Sequence, residues 1–86
     1  MLHIVQTHLS QADLARLLEL AQEDDVIVLM DDGVYNQTQL TKPHCPIYVM
    51  QSHIEMRGLV AKQFTKPLDM EGLVQLTINH PSSVSW

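Results

Sequence analysis

The sequence predicts a small α/β domain of three layers, an open and mostly parallel sheet with helices on its faces. Three observations predict it. Segments of strand length alternate with helix-patterned segments, the order expected of βαβ units. The stretches Val26–Met30 (VIVLM) and Pro46–Met50 (PIYVM) are unbroken apolar runs, the mark of strands covered on both faces. The 86 residues leave room for one core, so the whole chain, 1–86, reads as one domain.

Leu2–Gln6 suits a first strand. In SQADLARLLELAQEDD the residues Leu14, Leu17, Leu18 and Ala21 recur at helical spacing. Ser10, with Asp13 three residues on, predicts the N-cap of that helix. Val26–Met30 then runs into Asp31-Asp32-Gly33, where Gly33 is expected to supply an unusual backbone angle for a tight strand exit. The polar stretch NQTQLTKPHC has room for a short helix ended by Pro43. After the strand Pro46–Met50, Ser52 and Glu55 stand at capping-box spacing and Gly58 at the C′ position of a short helix. Val60–Pro67 is poorly patterned and allows only a weak fourth strand. Asp69 can cap a last helix reaching about Ile78, which His80-Pro81 stops, and SSVSW is a short edge strand.

Charge and composition exclude several classes of function. The formal net charge is −5, and Arg16, Lys42, Arg57, Lys62 and Lys66 form no stripe, so direct nucleic-acid binding is not expected. One cysteine allows no internal disulfide and fits a reducing compartment. The opening MLHIVQTHLSQ is too polar for a signal peptide, and no apolar run reaches the roughly 20 residues of a membrane span. A cytoplasmic location is expected. So few helices should leave apolar surface uncovered, with Leu40, Val60, Phe64 and Trp86 as the expected contributors and an oligomer as the consequence.

Candidate chemistry is sparse. Cys45 stands immediately before a strand, at the amino end of the sheet, whereas open α/β sheets bind ligands at the carboxyl ends. It reads as a partly buried small side chain, with nucleophilic use as the alternative. His8, Asp31, Asp32, Ser52 and His53 should converge on the carboxyl edge. Two His and two Asp could hold a divalent metal, but no ligand-spacing motif is present, so polar groups meeting water or a partner are the simpler reading. A phosphate loop needs more glycine and fewer carboxylates than Asp31-Asp32-Gly33 offers. His3 reads as a packed histidine, and Met30, Met50, Met56 and Met70 as core filler.

The segments MLHIVQ, VIVLMDDGVY, PIYVMQSHIEMRGL and LVQLTINHPSSVSW together resemble the TusB/DsrH family, collinearly over nearly the whole chain. The likeness is closer to the TusB branch. It implies the DsrE-like fold and a partnership with two sister proteins of the same fold, TusC-like and TusD-like, in a 2:2:2 heterohexamer. Such a complex relays persulfide sulfur toward 2-thiolation of the wobble uridine of certain tRNAs. The resemblance puts the sulfur-carrying cysteine on the TusD-like subunit, which leaves this chain a non-catalytic part without cofactor. Some DsrH members, which serve an analogous complex in sulfur oxidation, carry a cysteine on the first helix; here that position is Leu17. Asn36–His44 and Val60–Pro67 are shorter than usual for the family. His8, Asp31, Asp32, Gly33, Tyr35, His53 and Trp86 are the candidate contacts to sister subunits. The alternatives are a DsrH-like subunit of a sulfur-oxidation complex and a sulfurtransferase acting through Cys45, and the isolated chain is expected to be able to self-associate.

Overall fold

The computed structural model describes residues 1–40 and 44–86. Three strands fall on the apolar runs, β1 Leu2–Val5, β2 Val26–Leu29 and β3 Ile47–Met50, and two on mixed segments, β4 Thr65–Leu68 and β5 Ser83–Ser85. The helices are α1 Gln11–Leu20, a 3-10 helix Asp31–Gln39, α2 Gln51–Met56 and α3 Met70–Asn79. All strand pairings are parallel, in the order β4-β3-β2-β1-β5. The segment that promised only a weak strand supplies a full partner for β3, with Pro67 tolerated because β4 lies at the sheet edge.

Strand order dictates the layers. From β1 to β4 each strand is laid beside the last in one direction, so right-handed crossovers put α1, the 3-10 helix and α2 on one face. The return from β4 to β5 crosses the whole sheet and puts α3 alone on the other face. The first face is thick: Leu14, Leu17, Val34 and Ile54 pack on Val5, Ile27, Leu29, Ile47 and Val49. Leu17, Ile27, Leu29 and Val49 are wholly buried, each stabilising by about 1.5–3 kcal/mol. The second face is thin, with Leu2, Val26, Val28, Met50 and Leu68 buried under half-covered Leu73 and Leu76.

Caps decide most element ends. The Ser10 hydroxyl accepts the Asp13 N–H, and the Asp69 carboxylate accepts the Gly72 N–H at 2.7 Å, as the spacing predicts. Gly58, at φ +64°, closes α2: its N–H meets the Glu55 carbonyl and the Leu59 N–H meets that of Ile54. The predicted capping box does not form. β3 runs directly into α2, so Ser52 is already helical, and the Glu55 carboxylate accepts from Gln51 instead.

Two expectations about the strand exit are corrected. The residue with positive φ is Asp31, at 51°, and not Gly33. Gly33 is required by close approach, since a β-carbon there would stand 1.9 Å from the Val5 carbonyl oxygen. The helix expected within NQTQLTKPHC begins earlier, at Asp31, and the stop at Pro43 lies outside the described residues.

The uncovered apolar surface also lies elsewhere than expected. Leu40 is wholly buried, and Phe64 and Trp86 are half-buried against the thick-face core; only Val60 is exposed as expected. The exposed large apolar side chains include Met70, Val74 and Ile78, all on α3. Met56 and Met70 are likewise exposed and fill no core. Among the described residues no helix is long and apolar enough to cross a membrane.

Candidate functional site

The carboxyl ends of β1, β2 and β3 assemble one polar rim. β2 ends at Leu29, and the chain turns at once because the Gly33 N–H bonds back to the Met30 carbonyl at 2.9 Å. That turn sets Asp31 and Asp32 on the rim with exposed side chains. β3 ends at Met50 and delivers His53 and Arg57 from one face of α2. The Asp31 N–H donates to His53 Nδ1 at 2.8 Å, so the neutral ring carries its proton on Nε2. The Asp31 carboxylate lies 3.7 Å from the same Nδ1. Arg57 reaches across with Nε and NH2 to one oxygen of Asp32, at 3.2 and 3.0 Å, while NH1 holds the His53 carbonyl.

His8 joins the rim from the loop after β1, its ring 6.0 Å from that of Tyr35 on the 3-10 helix. Asn36, buried behind them, fixes that loop: its side-chain oxygen accepts the Leu9 N–H at 3.0 Å and its amide donates to the Thr7 carbonyl at 2.8 Å. Gln37, also buried, does the same for the segment before β4, bonding the Val60 carbonyl and the Lys62 N–H. Gln37 thus supplies order that the pattern of Val60–Pro67 does not.

Cys45 sits at the other end of the sheet, before β3, and packs in the thick-face core. Burial pushes its thiol above the ordinary value, and the negative charge of Asp25 adds to the shift. Both effects oppose the thiolate, which is the nucleophilic form. Among the described residues no group of three His, Cys, Asp or Glu is placed to hold a metal ion.

A second polar cluster lies at the amino edge. His3, buried on β1, receives the Trp86 indole N–H on Nδ1 at 3.2 Å and meets Asp25 Oδ2 from Nε2 at 2.9 Å. The Met1 amine bonds Asp25 Oδ1 at 2.8 Å and the Gln22 N–H bonds Oδ2 at 3.1 Å. The amine, His3 and Gln22 together hold the Asp25 carboxyl far below the usual range, although burial opposes them. Beside this cluster a groove of about 690 Å³ runs between α1 and β5, walled by Leu20, Val84 and Trp86 with Arg16 at its lip.

The structure therefore brings His8, Asp31, Asp32, Tyr35 and His53 to one rim and sets Trp86 apart, turned back onto His3. Gly33 is buried beneath the rim against β1. Sequence reasoning missed Arg57, although its place four residues after His53 puts both on one side of α2. It also missed Asn36 and Gln37, hidden in a stretch that reads as surface.

With this geometry in hand, comparison with known proteins identifies the family. The model of the family described as DsrH like protein matches residues 8–83. The chain belongs to the DsrH-like family. DsrH-like relatives of similar length include Protein TusB of Pectobacterium parmentieri, 30% identical over 95 residues, and Protein TusB of Erwinia tasmaniensis, 32% identical over 96, each alignment covering both chains completely. The 96-position alignment exceeds the 86 residues here by 10, so this DsrH-like chain lacks residues that the Erwinia relative carries. The solution NMR structure of protein Tm0979 from Thermotoga maritima superposes with a TM-score of 0.70 at 15% identity, covering 95% of this chain and 97% of that one. That likeness concerns the fold alone.

Proposed function

We propose that the chain is a non-catalytic subunit of a cytoplasmic sulfur-relay complex that supports 2-thiolation of the tRNA wobble uridine. TusC-like and TusD-like sister chains are its companions, in a 2:2:2 assembly. The observation that carries the reading is the state of Cys45. Persulfide transfer requires a thiolate that can reach its donor. The one thiol of this chain is buried, disfavoured as thiolate and set at the amino edge, away from the polar rim. A companion's thiolate then handles the sulfur, and this chain contributes shape and a docking rim.

His8, Asp31, Asp32, Tyr35 and His53 are the side chains that would meet a companion. The acidic balance agrees with a role in which other proteins hold the RNA. Relatives matched end to end under the name TusB favour tRNA thiolation over sulfur oxidation.

The test is affinity purification of the tagged full chain from its native host, with 2-thiouridine measured in tRNA of a strain lacking it. Two sister chains of the same fold should copurify, and thiouridine should fall. Recovery of the chain alone, with tRNA thiolation intact in its absence, contradicts the reading.

A further inference from the structure

The two edges of the sheet are built differently. β4, at one edge, carries Lys66 and Pro67, a charge and a missing donor that discourage another strand from pairing there. β5, at the other edge, reads Ser83-Val84-Ser85, has neither device and is exposed along its whole length. The Leu2 N–H meets the Ser82 carbonyl at 3.0 Å and the Trp86 N–H meets the Ile4 carbonyl at 2.8 Å, so residues 82, 84 and 86 address β1. By alternation the backbone N–H and C=O of Ser83 and Ser85 point away from β1, along the open edge.

The groove of about 690 Å³ lies along this same edge. Val84 stands level with His3, and both line the groove from the sheet; Arg16 and Leu20, one turn apart on α1, line it from the other side. The ~6 Å between Arg16 and Leu20 along the helix is close to the ~6.7 Å between alternate side chains of a strand. Leu20 is 55% exposed and Val84 36%, so the apolar walls are open. The acid of the lining, Asp25, is already held by the Met1 amine and His3. Among the described residues Arg16 takes part in no ion pair, so the unmet charge of the groove is positive.

We propose that β5 and this groove bind an extended segment of another protein, added to the sheet as a sixth strand. One apolar side chain of that segment enters between Leu20 and Trp86, and a carboxylate two residues away meets Arg16. The outward backbone groups of Ser83 and Ser85 select an extended chain, because a strand matches both and a compact small molecule does not. The apolar walls and Arg16 then choose among sequences. The site lies at the opposite end of the sheet from the polar rim, and the proposal does not need the sulfur-relay reading.

The probe is the blocked peptide acetyl-Thr-Val-Thr-Leu-Thr-Glu-Thr-amide, added at ~2 mM to the full native chain and followed by NMR. Amide exchange of Ser83 and Ser85 should slow at least about twofold, and the Trp86 indole resonance should shift. Ser85→Pro removes one outward N–H and no bond to β1, and should abolish the protection of Ser83. Should that variant unfold, Leu20→Glu decides: it alters an exposed side chain and should abolish binding by placing a charge in the groove. Arg16→Gln should weaken binding about two- to fivefold, and should have no effect when the glutamate of the peptide is replaced by glutamine. Hexanoate, an apolar carboxylate without a backbone, should protect neither serine and bind more weakly than the peptide.

The proposal is overturned by a peptide that leaves both serines unprotected, by protection that a folded Leu20→Glu chain retains, or by a glutamate peptide that Arg16→Gln binds as tightly as the native chain does. Hexanoate binding as tightly as the peptide would make the groove a site for small acids and overturn it too. Protection of both serines without peptide, growing with the concentration of the native chain, would give the edge to a second copy, with the same consequence.

Discussion

The backbone N–H of Asp31 and Nδ1 of His53 meet at 2.8 Å, joining the ends of two adjacent strands into one rim. Because Asp31 uses its N–H for this bond, its carboxylate and the Nε2–H of His53 are left for an outside partner. Replacing Asp31 and Asp32 together by alanine should weaken copurification with sister chains while leaving the chain folded. The stability cost should stay within about 1 kcal/mol, because the Arg57–Asp32 pair is a surface ion pair. Urea denaturation checks the second half, and affinity purification the first.

Gly33 should tolerate no side chain. A β-carbon 1.9 Å from the Val5 carbonyl oxygen meets the backbone at the end of β1, which is held in the sheet and cannot swing aside as a side chain could. Gly33→Ala is expected to cost more than about 4 kcal/mol or to prevent folding. Gly58→Ala, where nothing lies within 4 Å and only the positive φ resists, should cost about 1–2 kcal/mol. Chemical denaturation of the two variants compares them.

Asn36→Ala should destabilise far more than a surface polar substitution. It leaves the buried Leu9 N–H without its partner, at about 1–3 kcal/mol, and frees the Thr7 carbonyl, which water can reach. The loop carrying His8 should loosen first, visible as faster amide exchange of residues 7–9 than of β1.

Acid should destabilise the fold through Asp25. Its folded carboxyl lies below the ordinary value of 3.8, so its contribution is fully present above that value and is lost as pH falls below it. Between neutral pH and pH ~3 the urea midpoint of the native chain should fall more than that of Asp25→Asn, which lacks this titration. Equal falls in the two proteins would remove Asp25 as the cause.

The parts of this structure legible in the sequence are those decided locally. Apolar runs gave β2 and β3, and the side chains of Ser10 and Asp69 and the bare backbone of Gly58 announced the helix ends they make. What depended on contacts distant in sequence stayed hidden. Ser52 and Glu55 have capping-box spacing, yet the absence of any loop between β3 and α2 removes the cap. Asn36 and Gln37 look like surface residues until residues 7–9 and 60–62 are folded over them. Leu40 could not be told from an exposed leucine by spacing, nor could the outward face of α3, whose apolar residues run nearly all round. Of the rim, His8, Asp31, Asp32 and His53 were legible because strand ends in a parallel sheet must converge. Arg57 was not, since only the folded α2 aims it at Asp32.

Cys45 should be inert in the native chain. A thiol reagent that titrates it fully in urea should react slowly in buffer, because burial both covers the sulfur and disfavours its thiolate. Fast native labelling would contradict the burial on which the functional reading stands.

The central claim is that a companion's thiolate, and not Cys45, carries the sulfur. Loading the purified complex with isotopically labelled persulfide and mapping every cysteine by mass spectrometry tests it most directly. The account predicts label on a sister chain and none on Cys45, with Cys45→Ser still supporting transfer. Label on Cys45 during turnover, together with a Cys45→Ser complex that assembles but transfers nothing, would contradict it.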